Sequence, residues 1–519
     1  MDSQNETLSD DPVVLREMVL SLRNEKAALQ RRADYLQEVL NVLRKKQFGR
    51  SSEKASFDHP SLFDEAEEEG EVLPDAKGAA VDESLSVAGH TRKKRGRKPL
   101  PEDLPREEVI HDLSEEEKVC TLDGHALVEI GREASEQVDI IPAQVRVIRN
   151  IRLKYACPHC RKGVKLAPLP PQPIPKALAT AATLAHVVVA KYADALPLYR
   201  QEGILKRAGI DLPRATLAHW MIKVGALVQP LINLLRDRLL EGGVIQMDET
   251  TVQVLKENGK AAKSKSYMWV QRGGPPNGRV ILFDYDPSRS GKVPERLLAD
   301  YKGWLQTDGY SGYWAVGSPP DVEHLGCWAH ARRKFVEAAT AAGKKKKSKA
   351  AQGVALIGKL YAIEKRIRES DSEHRREIRQ REVPPILSEI RDWMSKLVPQ
   401  VLPSSATGRA LGYLHEQWPR LVRYIEDGRL EIDNNLTENA IRPFVVGRKN
   451  WLFSDSVRGA ESSANLYSLI ETAKTNGLEP YAYLRHVFEM TPAAQTVDDF
   501  DALLPWNAAE KIRSVNPSP

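Results

Sequence analysis

The sequence predicts a multidomain α+β protein, in which a mixed-sheet core with a helical insertion follows a coiled coil, a small cysteine-containing module and a helical domain. Three patterns support this prediction: leucines at every seventh position near the N-terminus, a Cys-x-x-Cys pair after an alternating apolar segment, and short apolar runs that end in acidic residues. At 519 residues the chain is too long for a single hydrophobic core, and we expect three or four domains.

The composition suits a soluble globular protein. Hydrophobic residues make up 41% of the chain and charged residues 28%, and because no run of about eighteen apolar residues is present, we expect no membrane span. The N-terminus is polar and acidic, which is unlike a secretory signal. Four cysteines are too few for a disulfide framework, and we therefore expect a cytoplasmic protein. The net charge of +5 does not by itself indicate a nucleic-acid partner.

Residues 1–47 carry the pattern of a coiled coil. Leucines recur every seven residues at Leu15, Leu22, Leu29, Leu36 and Leu43, and the companion positions are Val19, Lys26, Ala33 and Leu40. A 3.5-residue period held over four heptads favours supercoiled helices, and hence a homo-oligomer. Lys26 in the seam would weaken it. The alternative is a long amphipathic helix that packs on the protein's own body.

Residues 48–104 predict a tether that ends in a DNA-binding segment. An acidic run at 64–71 has few periodic apolar positions, which indicates a solvated linker. Residues 91–99 then include six cations, among them Arg95, Arg97 and Lys98. The Arg-Gly-Arg core resembles the AT-hook type of minor-groove reader, in which arginines enter a narrow, A·T-rich groove. A solvated basic tail is the alternative interpretation.

Residues 105–170 predict a small β-rich module with a zinc site. The alternating segment 138–155 is followed by a Cys157-x-x-Cys160 pair, which is half of a zinc ribbon. The other half would come from Cys120 and His125, so the predicted structural Zn²⁺ has a Cys₃His ligand set. His159 is an alternative fourth ligand. Two packed, reduced thiols are the alternative to a metal site.

Residues 171–242 predict a helical domain with a helix-turn-helix-like pair. One helix covers 198–205, a turn follows at 209–212, and a second helix begins near Pro213, where the missing N–H of proline costs little. The second helix of such a pair can enter a DNA major groove, which makes Arg214 a candidate DNA contact. A purely structural helical hairpin is an equally good interpretation.

Residues 243–455 predict a mixed sheet that carries acidic residues at two strand ends. Three strands are expected at 244–248, 267–270 and 279–283, followed by a helix near 294–298 and a fourth strand at 303–308. The first strand ends in Asp248 and the fourth in Asp308. This order is that of the ribonuclease-H-like fold, with one acid on the first strand and another at the end of the fourth.

Asp248 and Asp308 are candidate ligands of Mg²⁺ or Mn²⁺. An unpaired carboxylate near a sheet interior is costly to desolvate, and two carboxylates side by side repel each other unless a cation neutralises them. Oxygen ligands of this kind select hard ions. The alternative, in which the two acids simply end their strands, fits less well with the order in which they occur.

A third acid is expected from a helix that begins within residues 431–443. Asn434 or Asn435 can cap this helix, and Glu438 lies about one turn in. Asp433 is the competing third ligand.

Cations and one Cys/His pair accompany this helix. Arg442 lies four residues after the candidate acid on the same face, and Arg448 and Lys449 could hold DNA phosphates beside the metal ions. The Cys327-x-x-His330 pair could suggest a second zinc site, but no companion pair lies nearby. A structural contact beside the acidic pocket is the preferred interpretation.

Four sequence strings together resemble a known protein family. They are Met247–Thr250, Thr307–Tyr310, Cys327–Arg333 and Asp433–Pro443. They are similar to the DDE transposases of the bacterial insertion sequence 66 family, and the resemblance extends over nearly the whole chain. It implies that Asp248, Asp308 and Glu438 form the catalytic triad of a ribonuclease-H-like core with a helical insertion at about 336–430, and that residues 456–519 form a C-terminal helical region.

The resemblance implies a DNA transposase that cleaves DNA at transposon ends and transfers the strand to target DNA by two-metal-ion chemistry. It also implies action at the nucleoid, a homo-oligomer that holds two DNA ends, and accessory proteins from the same element. The alternatives are a metal-dependent nuclease of the same fold, a DNA-binding regulator and an inactive transposase copy. All three acids are present beside several DNA-binding segments, which favours an active transposase.

Overall fold

A computed structural model describes residues 11–48, 108, 145–156, 164–316, 321–341 and 348–515. They fall into two compact units, one drawn from residues 1–66 and 170–509 and the other from residues 67–169 and 510–519. The acidic run at 64–71 lies outside the described residues. So do the predicted site residues Arg95, Arg97, Lys98, Cys120, His125, Cys157, His159 and Cys160.

In the smaller unit, the structure describes a short antiparallel hairpin. Strands β1 (Lys154–Tyr155) and β2 (Lys165–Leu166) pair with each other, and the Cys-x-x-Cys pair falls between them in sequence. The strand predicted over 138–155 is too long, because only two of the described residues 145–156 are paired. Val147 and Ile151 are exposed, so the apolar alternation has no layer to pack against within the described residues.

Helix α1 (Pro12–Phe48) is the predicted long N-terminal helix. One face of it contacts the body of the larger unit: Glu38 accepts a hydrogen bond from the Ala406 N–H (3.1 Å), and the Asn41 amide donates to the Ala341 carbonyl (3.0 Å). The leucine seam is exposed instead, with exposed fractions of 53–63% for Leu22, Leu29, Leu36 and Leu43. The alternative, a long helix that packs on the protein's own body, is therefore borne out for one polar face of α1, while the leucine seam stays exposed.

Within residues 170–243, four helices precede the sheet of the larger unit. They are α2 (Ala181–Tyr192), α3 (Leu198–Arg207), α4 (Arg214–Leu227) and α5 (Gln229–Leu240). Helices α3 and α4 are the predicted pair, and Gly209 in their connection has a φ of 84°, a conformation that favours glycine. These helices belong to the same compact unit as the sheet, so the boundary predicted at residue 242 does not separate two units.

The larger unit is built on a six-stranded mixed sheet. Its strands are β3 (Val244–Lys256), β4 (Lys265–Gly273), β5 (Val280–Asp286), β6 (Gly303–Gln306), β7 (Val322–Leu325) and β8 (Ser454–Ser456). The order is β5-β4-β3-β6-β7, with β8 paired to the end of β3. The β3–β4 and β4–β5 pairs are antiparallel, and the β3–β6 and β6–β7 pairs are parallel. Helix α6 (Lys292–Leu297) precedes β6, so these elements follow the predicted order.

A helix closes the edge strand β5. Helix α12 (Val457–Thr475) lies along this strand: the Phe283 N–H donates to the Ser468 hydroxyl (2.8 Å), and the Ile281 N–H donates to the Thr472 hydroxyl (3.0 Å). Side-chain hydroxyls thus satisfy backbone groups that a neighbouring strand would otherwise pair. On its other side α12 packs so tightly on α4 that a Cβ at Gly225 would lie 2.5 Å from the Ser462 Cβ.

Helices fill most of the interval between Asp308 and Glu438. They are α7 (Trp328–Ala341), α8 (Lys349–Arg366), α9 (Ser372–Leu397) and α10 (Ala406–Leu421). They share one hydrophobic core that includes Phe335, Leu360 and Ile390. The predicted insertion at about 336–430 falls in this helical region, and the chain then leads into α11 (Asn435–Trp451).

The chain is helical after α12 as far as the structure describes it. The remaining helices are α13 (Pro480–Met490), α14 (Val497–Asp501) and α15 (Pro505–Val515). Among the described residues, no single helix is long and apolar enough to cross a membrane, and only the pair α4 and α5, bent by 49°, reaches that composition together.

Candidate active site

The register between β3 and β6 brings the two strand-borne acids together. Gln246 on β3 lies directly opposite Gln306 on β6 in the parallel ladder. Each glutamine comes two residues before an acid, Asp248 in β3 and Asp308 just after β6. Because parallel strands run in the same direction, both acids lie on the same side of this glutamine pair. The prediction that the first strand ends in Asp248 is wrong, since β3 continues to Lys256 and Asp248 lies within it.

The two buried glutamines also tie the sheet to the helix that carries the third acid. The Gln246 amide donates to the Gln306 side-chain oxygen (2.7 Å) and to the Asp433 carbonyl (3.2 Å). The Gln306 amide donates to the Glu431 carbonyl (2.8 Å), and the Thr437 hydroxyl on α11 donates to Gln246 (3.2 Å). A buried polar group that loses its partner costs about 1–3 kcal/mol. The glutamine pair therefore holds β3, β6 and the start of α11 in one arrangement.

An aspartate, rather than the predicted asparagine side chain, caps helix α11. Asn434 is the N-cap residue, but its side chain makes no capping bond and donates instead to the Met247 carbonyl on β3 (3.0 Å). The Asp433 carboxylate accepts from the Asn435 N–H (3.1 Å) and from the Tyr361 hydroxyl (2.8 Å). Asp433 is thus bound to the helix N-terminus and to α8.

Glu438 lies in the first turn of α11, and 6% of the residue is exposed. Its carboxylate faces α7, where Arg333 Nη2 lies 3.3 Å from Oε2 and His330 Nε2 lies 3.6 Å from Oε1. Its charge also acts on Asp248 in β3. The structure therefore brings the helix-borne acid into the electrostatic neighbourhood of the strand-borne pair.

Burial and mutual repulsion raise the pKa values of the two aspartates. For Asp248 burial is the largest cause, and the charges of Glu249, Asp308 and Glu438 raise its pKa further, well above the usual range. Burial also raises the pKa of Asp308, although a hydrogen bond from the Tyr310 N–H (2.9 Å) opposes the rise. Because the folded-state pKa is raised, each ionised aspartate lowers the stability of the folded chain at neutral pH. A bound divalent cation would remove this repulsion.

A fourth carboxylate, Glu249, is missed by the sequence prediction. Its buried side chain accepts a hydrogen bond from Arg289 Nε (2.7 Å) and another from the Tyr313 hydroxyl. The Arg289 guanidinium lies 4.0 Å from the centre of the Tyr310 ring, and the Tyr310 hydroxyl donates to the Arg289 carbonyl (2.7 Å). This cluster connects β3 to the segment after β6. The position of Glu249 beside the first acid in the string 247–250 is the one sequence clue to it.

The predicted DNA-contacting cations on α11 have different surroundings. Lys449 is exposed and Arg442 is partly exposed. Arg448 instead donates to the hydroxyls of Thr250 (3.1 Å) and Thr251 (3.0 Å) on β3, and burial lowers its pKa. Arg448 therefore holds α11 against the sheet. The adjacent Lys449 is the more accessible of the two cations.

Arg214 is exposed at the first residue of α4. Its N–H donates to the Glu202 carboxylate on α3 (3.2 Å), which joins the helix pair at this point. Farther along α4, Trp220 and Val224 are buried. The first residues of α4 are thus exposed, at the end that a helix-turn-helix presents to DNA, although Lys223 farther along is exposed as well.

The three acids have the chemistry of a site for a hard divalent cation. All the donors are carboxylate oxygens, which Mg²⁺ and Mn²⁺ prefer, and the pKa of Asp248 is raised first by burial and then by the like charges around it. As the side chains stand, no three His, Cys, Asp or Glu groups in the described part of the chain are grouped closely enough to bind one ion. The donor set fits such a cation, and binding would draw the carboxylates together.

Family models match most of the chain. A model described as "Transposase IS66 family" matches residues 176–462, and the "IS66 C-terminal element" matches residues 468–506. The "zinc-finger binding domain of transposase IS66" matches residues 117–161, and a model described as "Transposase C of IS166 homeodomain" matches residues 35–109.

The chain belongs to the IS66 family of transposases.

This IS66-family chain has full-length relatives in Sinorhizobium fredii. The uncharacterized protein y4jD is 33% identical over 98% of both chains. The uncharacterized protein y4qI is 31% identical over 96% of this chain and 97% of its own length, and y4hP is 30% identical over 83% and 80%.

The family predicted from the sequence is confirmed, and with it a transposase role that involves DNA. The match to the IS66 transposase model covers the three acids. The match to the IS66 zinc-finger model covers the four predicted zinc ligands, Cys120, His125, Cys157 and Cys160, and so supports a zinc-binding module in this IS66-family chain.

Proposed function

We propose that this chain is an active DNA transposase, which cleaves DNA at the ends of its element and joins the freed 3′ end to target DNA. The observation that carries the proposal is the register of β3 and β6, in which Asp248 and Asp308 each come two residues after a glutamine of one buried pair, and this pair is hydrogen-bonded to the segment that leads into the helix of Glu438. The strand order β5-β4-β3-β6-β7 supports a ribonuclease-H-like fold for the core.

The three carboxylates would hold Mg²⁺ or Mn²⁺ from three different elements. Strand β3 supplies Asp248, the chain just after β6 supplies Asp308, and the first turn of α11 supplies Glu438. When bound, the metal supplies positive charge at the scissile phosphate and favours deprotonation of the attacking hydroxyl. The protein itself would hold these carboxylate oxygens in place and keep solvent away from them.

The reaction proceeds in two phosphoryl-transfer steps without a covalent protein intermediate. Water first attacks the phosphodiester at the end of the element, and the bond to the 3′ oxygen breaks, which leaves a free 3′ hydroxyl. This hydroxyl then attacks a phosphodiester of the target, whose own 3′ oxygen departs. Each step is an in-line displacement that needs positioning and charge neutralisation rather than a protein nucleophile.

Cations in several parts of the chain are proposed to contact DNA phosphates. They are Arg442 and Lys449 on α11, Arg214 on α4, and Arg95, Arg97 and Lys98 in the basic segment. Such contacts fix register and affinity rather than sequence preference. A structural Zn²⁺ on Cys120, His125, Cys157 and Cys160 would stabilise the module at 105–170. Action at the nucleoid and accessory proteins of the same element belong to this proposal.

We propose that the chain self-associates through α1. The contacts of Glu38 and Asn41 with the body occupy the face of α1 opposite the leucine seam and leave the seam exposed. Burying a leucine side chain against a second copy stabilises by about 1.5–3 kcal/mol. Because transposition joins two DNA ends, an assembly of at least two copies would bring them together.

Leu29→Glu is expected to convert the oligomer to a monomer, because a carboxylate in the seam cannot be buried without a partner. Size-exclusion chromatography with multi-angle light scattering measures the mass. Ala28→Glu, which places the same charge one residue off the seam, should leave the mass unchanged. A Leu29→Glu protein of unchanged mass would contradict the coiled coil.

The proposed function is tested by a cleavage and joining assay on labelled DNA that carries the ends of the element, in the presence of Mg²⁺. Wild type is expected to cleave and join, and Asp248→Asn to cleave at least about 1000-fold more slowly while it still binds DNA. The variant should unfold at an equal or higher temperature, since it loses one of the repelling acids.

The other outcomes identify the alternatives. A wild type that cleaves but never joins would indicate a nuclease. A wild type that binds DNA but does not react, even with companion proteins added, would indicate a regulator or an inactive copy.

A further inference from the structure

The Cys327-x-x-His330 string continues to Arg333, and these three residues lie on one side of the start of α7. Cys327 immediately precedes the helix, His330 is in its first turn, and Arg333 follows three residues later. Helix positions three apart share a face. This face is turned toward the start of α11, and we call the three side chains the α7 clasp.

The α7 clasp contacts the start of α11 at successive points. The Cys327 sulfur accepts a hydrogen bond from the Asn434 N–H (3.3 Å). One turn along, His330 Nε2 lies 3.6 Å from Glu438 Oε1, and Arg333 Nη2 lies 3.3 Å from Glu438 Oε2. The clasp thus holds the helix start through its backbone and one oxygen of the acid through Arg333. His330 lies beside the other oxygen beyond hydrogen-bond distance, and burial lowers its pKa to about 3, so the ring is neutral at neutral pH.

The Arg333–Glu438 pair is largely removed from solvent, with side-chain exposures of 13% and 7%. A pair in such surroundings interacts more strongly than a surface pair, which water screens. The Arg333 charge also reaches Asp308, where it opposes the rise in that pKa. One cation on α7 therefore acts on two of the three acids.

We propose that Arg333 is a positioning residue for the third acid. It holds the Glu438 carboxylate in one orientation at the start of α11, and so increases the affinity of the site for a divalent cation. This inference rests on the proposed function and adds to it a residue that does not itself bind the metal. A glutamate side chain has three rotatable bonds, so an orienting partner removes conformational freedom that metal binding would otherwise have to restrict.

Two effects of Arg333 on metal affinity oppose each other, and this makes the proposal testable. Orientation of Glu438 favours a bound cation, whereas the positive charge of the guanidinium repels it. If Arg333 acted only as a charge, its removal would tighten metal binding. If it positions the acid, its removal weakens metal binding.

The test is a calorimetric titration of the full-length, zinc-loaded protein with Mn²⁺ in the absence of DNA. Arg333→Gln is expected to raise the dissociation constant about tenfold or more, as loss of a partner that orients a ligand usually does. Arg333→Lys should show a smaller loss, because it keeps the charge but not the fork of donors. Arg332→Gln, which removes the neighbouring cation on α7, should bind as wild type does.

Unchanged or tighter Mn²⁺ binding by Arg333→Gln would overturn the inference. Thermal unfolding shows whether each variant is folded, and if Arg333→Gln is not, Arg333→Lys decides by the same criterion. Asp248→Asn separates this inference from the proposed function. If wild type binds no Mn²⁺, or if Asp248→Asn binds it equally well, the metal site itself is refuted, and the role of Arg333 with it.

Discussion

Glu438→Gln is expected to slow strand cleavage at least about 1000-fold, whereas Asp433→Asn is expected to slow it less than about tenfold. Glu438 is buried in the first turn of α11, and its charge reaches Asp248. The Asp433 carboxylate is bound elsewhere, to the Tyr361 hydroxyl and the Asn435 N–H. Asparagine at 433 keeps a carbonyl oxygen that can still accept the helix N–H.

Single-turnover cleavage rates on the same labelled DNA measure both variants. An electrophoretic mobility shift of that DNA and the thermal unfolding temperature serve as controls for binding and folding. If Asp433→Asn proved as inactive as Glu438→Gln while folded and bound to DNA, Asp433 would be the third ligand. If Glu438→Gln cleaved at the wild-type rate, the assignment of Glu438 would be wrong.

Arg379→Met is expected to lower the free energy of unfolding by about 3–5 kcal/mol, the largest effect on stability that we expect from one substitution. The Arg379 side chain on α9 is 0% exposed and forms a bidentate pair with Glu364 on α8 (2.8 and 2.6 Å). It also donates to the carbonyls of Leu430 (2.9 Å) and Tyr424 (3.2 Å). Methionine retains the apolar stem but leaves the buried carboxylate and both carbonyls without their donor.

Thermal and urea unfolding of the full chain measure this loss. Arg381→Met is the matched control, because Arg381 lies two residues farther along the same helix with 66% of its side chain exposed. An exposed ion pair contributes little, so this variant should unfold as wild type does. A wild-type unfolding midpoint for Arg379→Met would show that the buried arginine does not hold the helical region together.

Strands β3 to β6 and the two aspartates could be predicted because their signals are local, whereas the sequence prediction missed β7 and β8. Strand β3 begins with buried Ile245 and Met247 and reaches Asp248, so an apolar run that ends in an acid is visible in a few adjacent letters. The α3–α4 pair is equally local, since a glycine with positive φ marks its turn. Patterns of this range depend on neighbouring residues and need no knowledge of the fold.

Features that depend on distant partners could not be read in the same way. Arg448 and Lys449 are adjacent cations, yet only the fold shows that Arg448 is bound to Thr250 and Thr251 almost two hundred residues away. The contact of Arg333 with Glu438 spans 105 residues. Arginine and lysine side chains can stabilise the fold or remain accessible to a ligand. Which of these they do depends on residues that are distant in sequence.

The leucine repeat predicted its secondary structure better than the apolar alternation at 138–155 did. The leucine repeat predicts a helix, and α1 is one. A repeat of about 3.5 residues is close to the roughly 3.6 residues of a helical turn, so one helical conformation can hold the pattern over many residues. The alternation at 138–155 predicts a longer strand than the one that the described residues 145–156 contain. A strand needs a neighbouring strand and an apolar layer, and sequence alternation by itself supplies neither.

The glutamine pair Gln246–Gln306 has a consequence for how mutated copies of the gene can lose activity. The alignment of β3, β6 and α11 is held by neutral amides, hydroxyls and backbone groups, whereas Asp248 is buried and repelled by Asp308 and Glu438. Under the proposed function, losing Asp248 by mutation therefore removes the chemistry without removing the architecture, and selection for folding alone would not eliminate such a copy. An unfolding temperature of Asp248→Asn well below that of wild type would contradict this separation of architecture from chemistry.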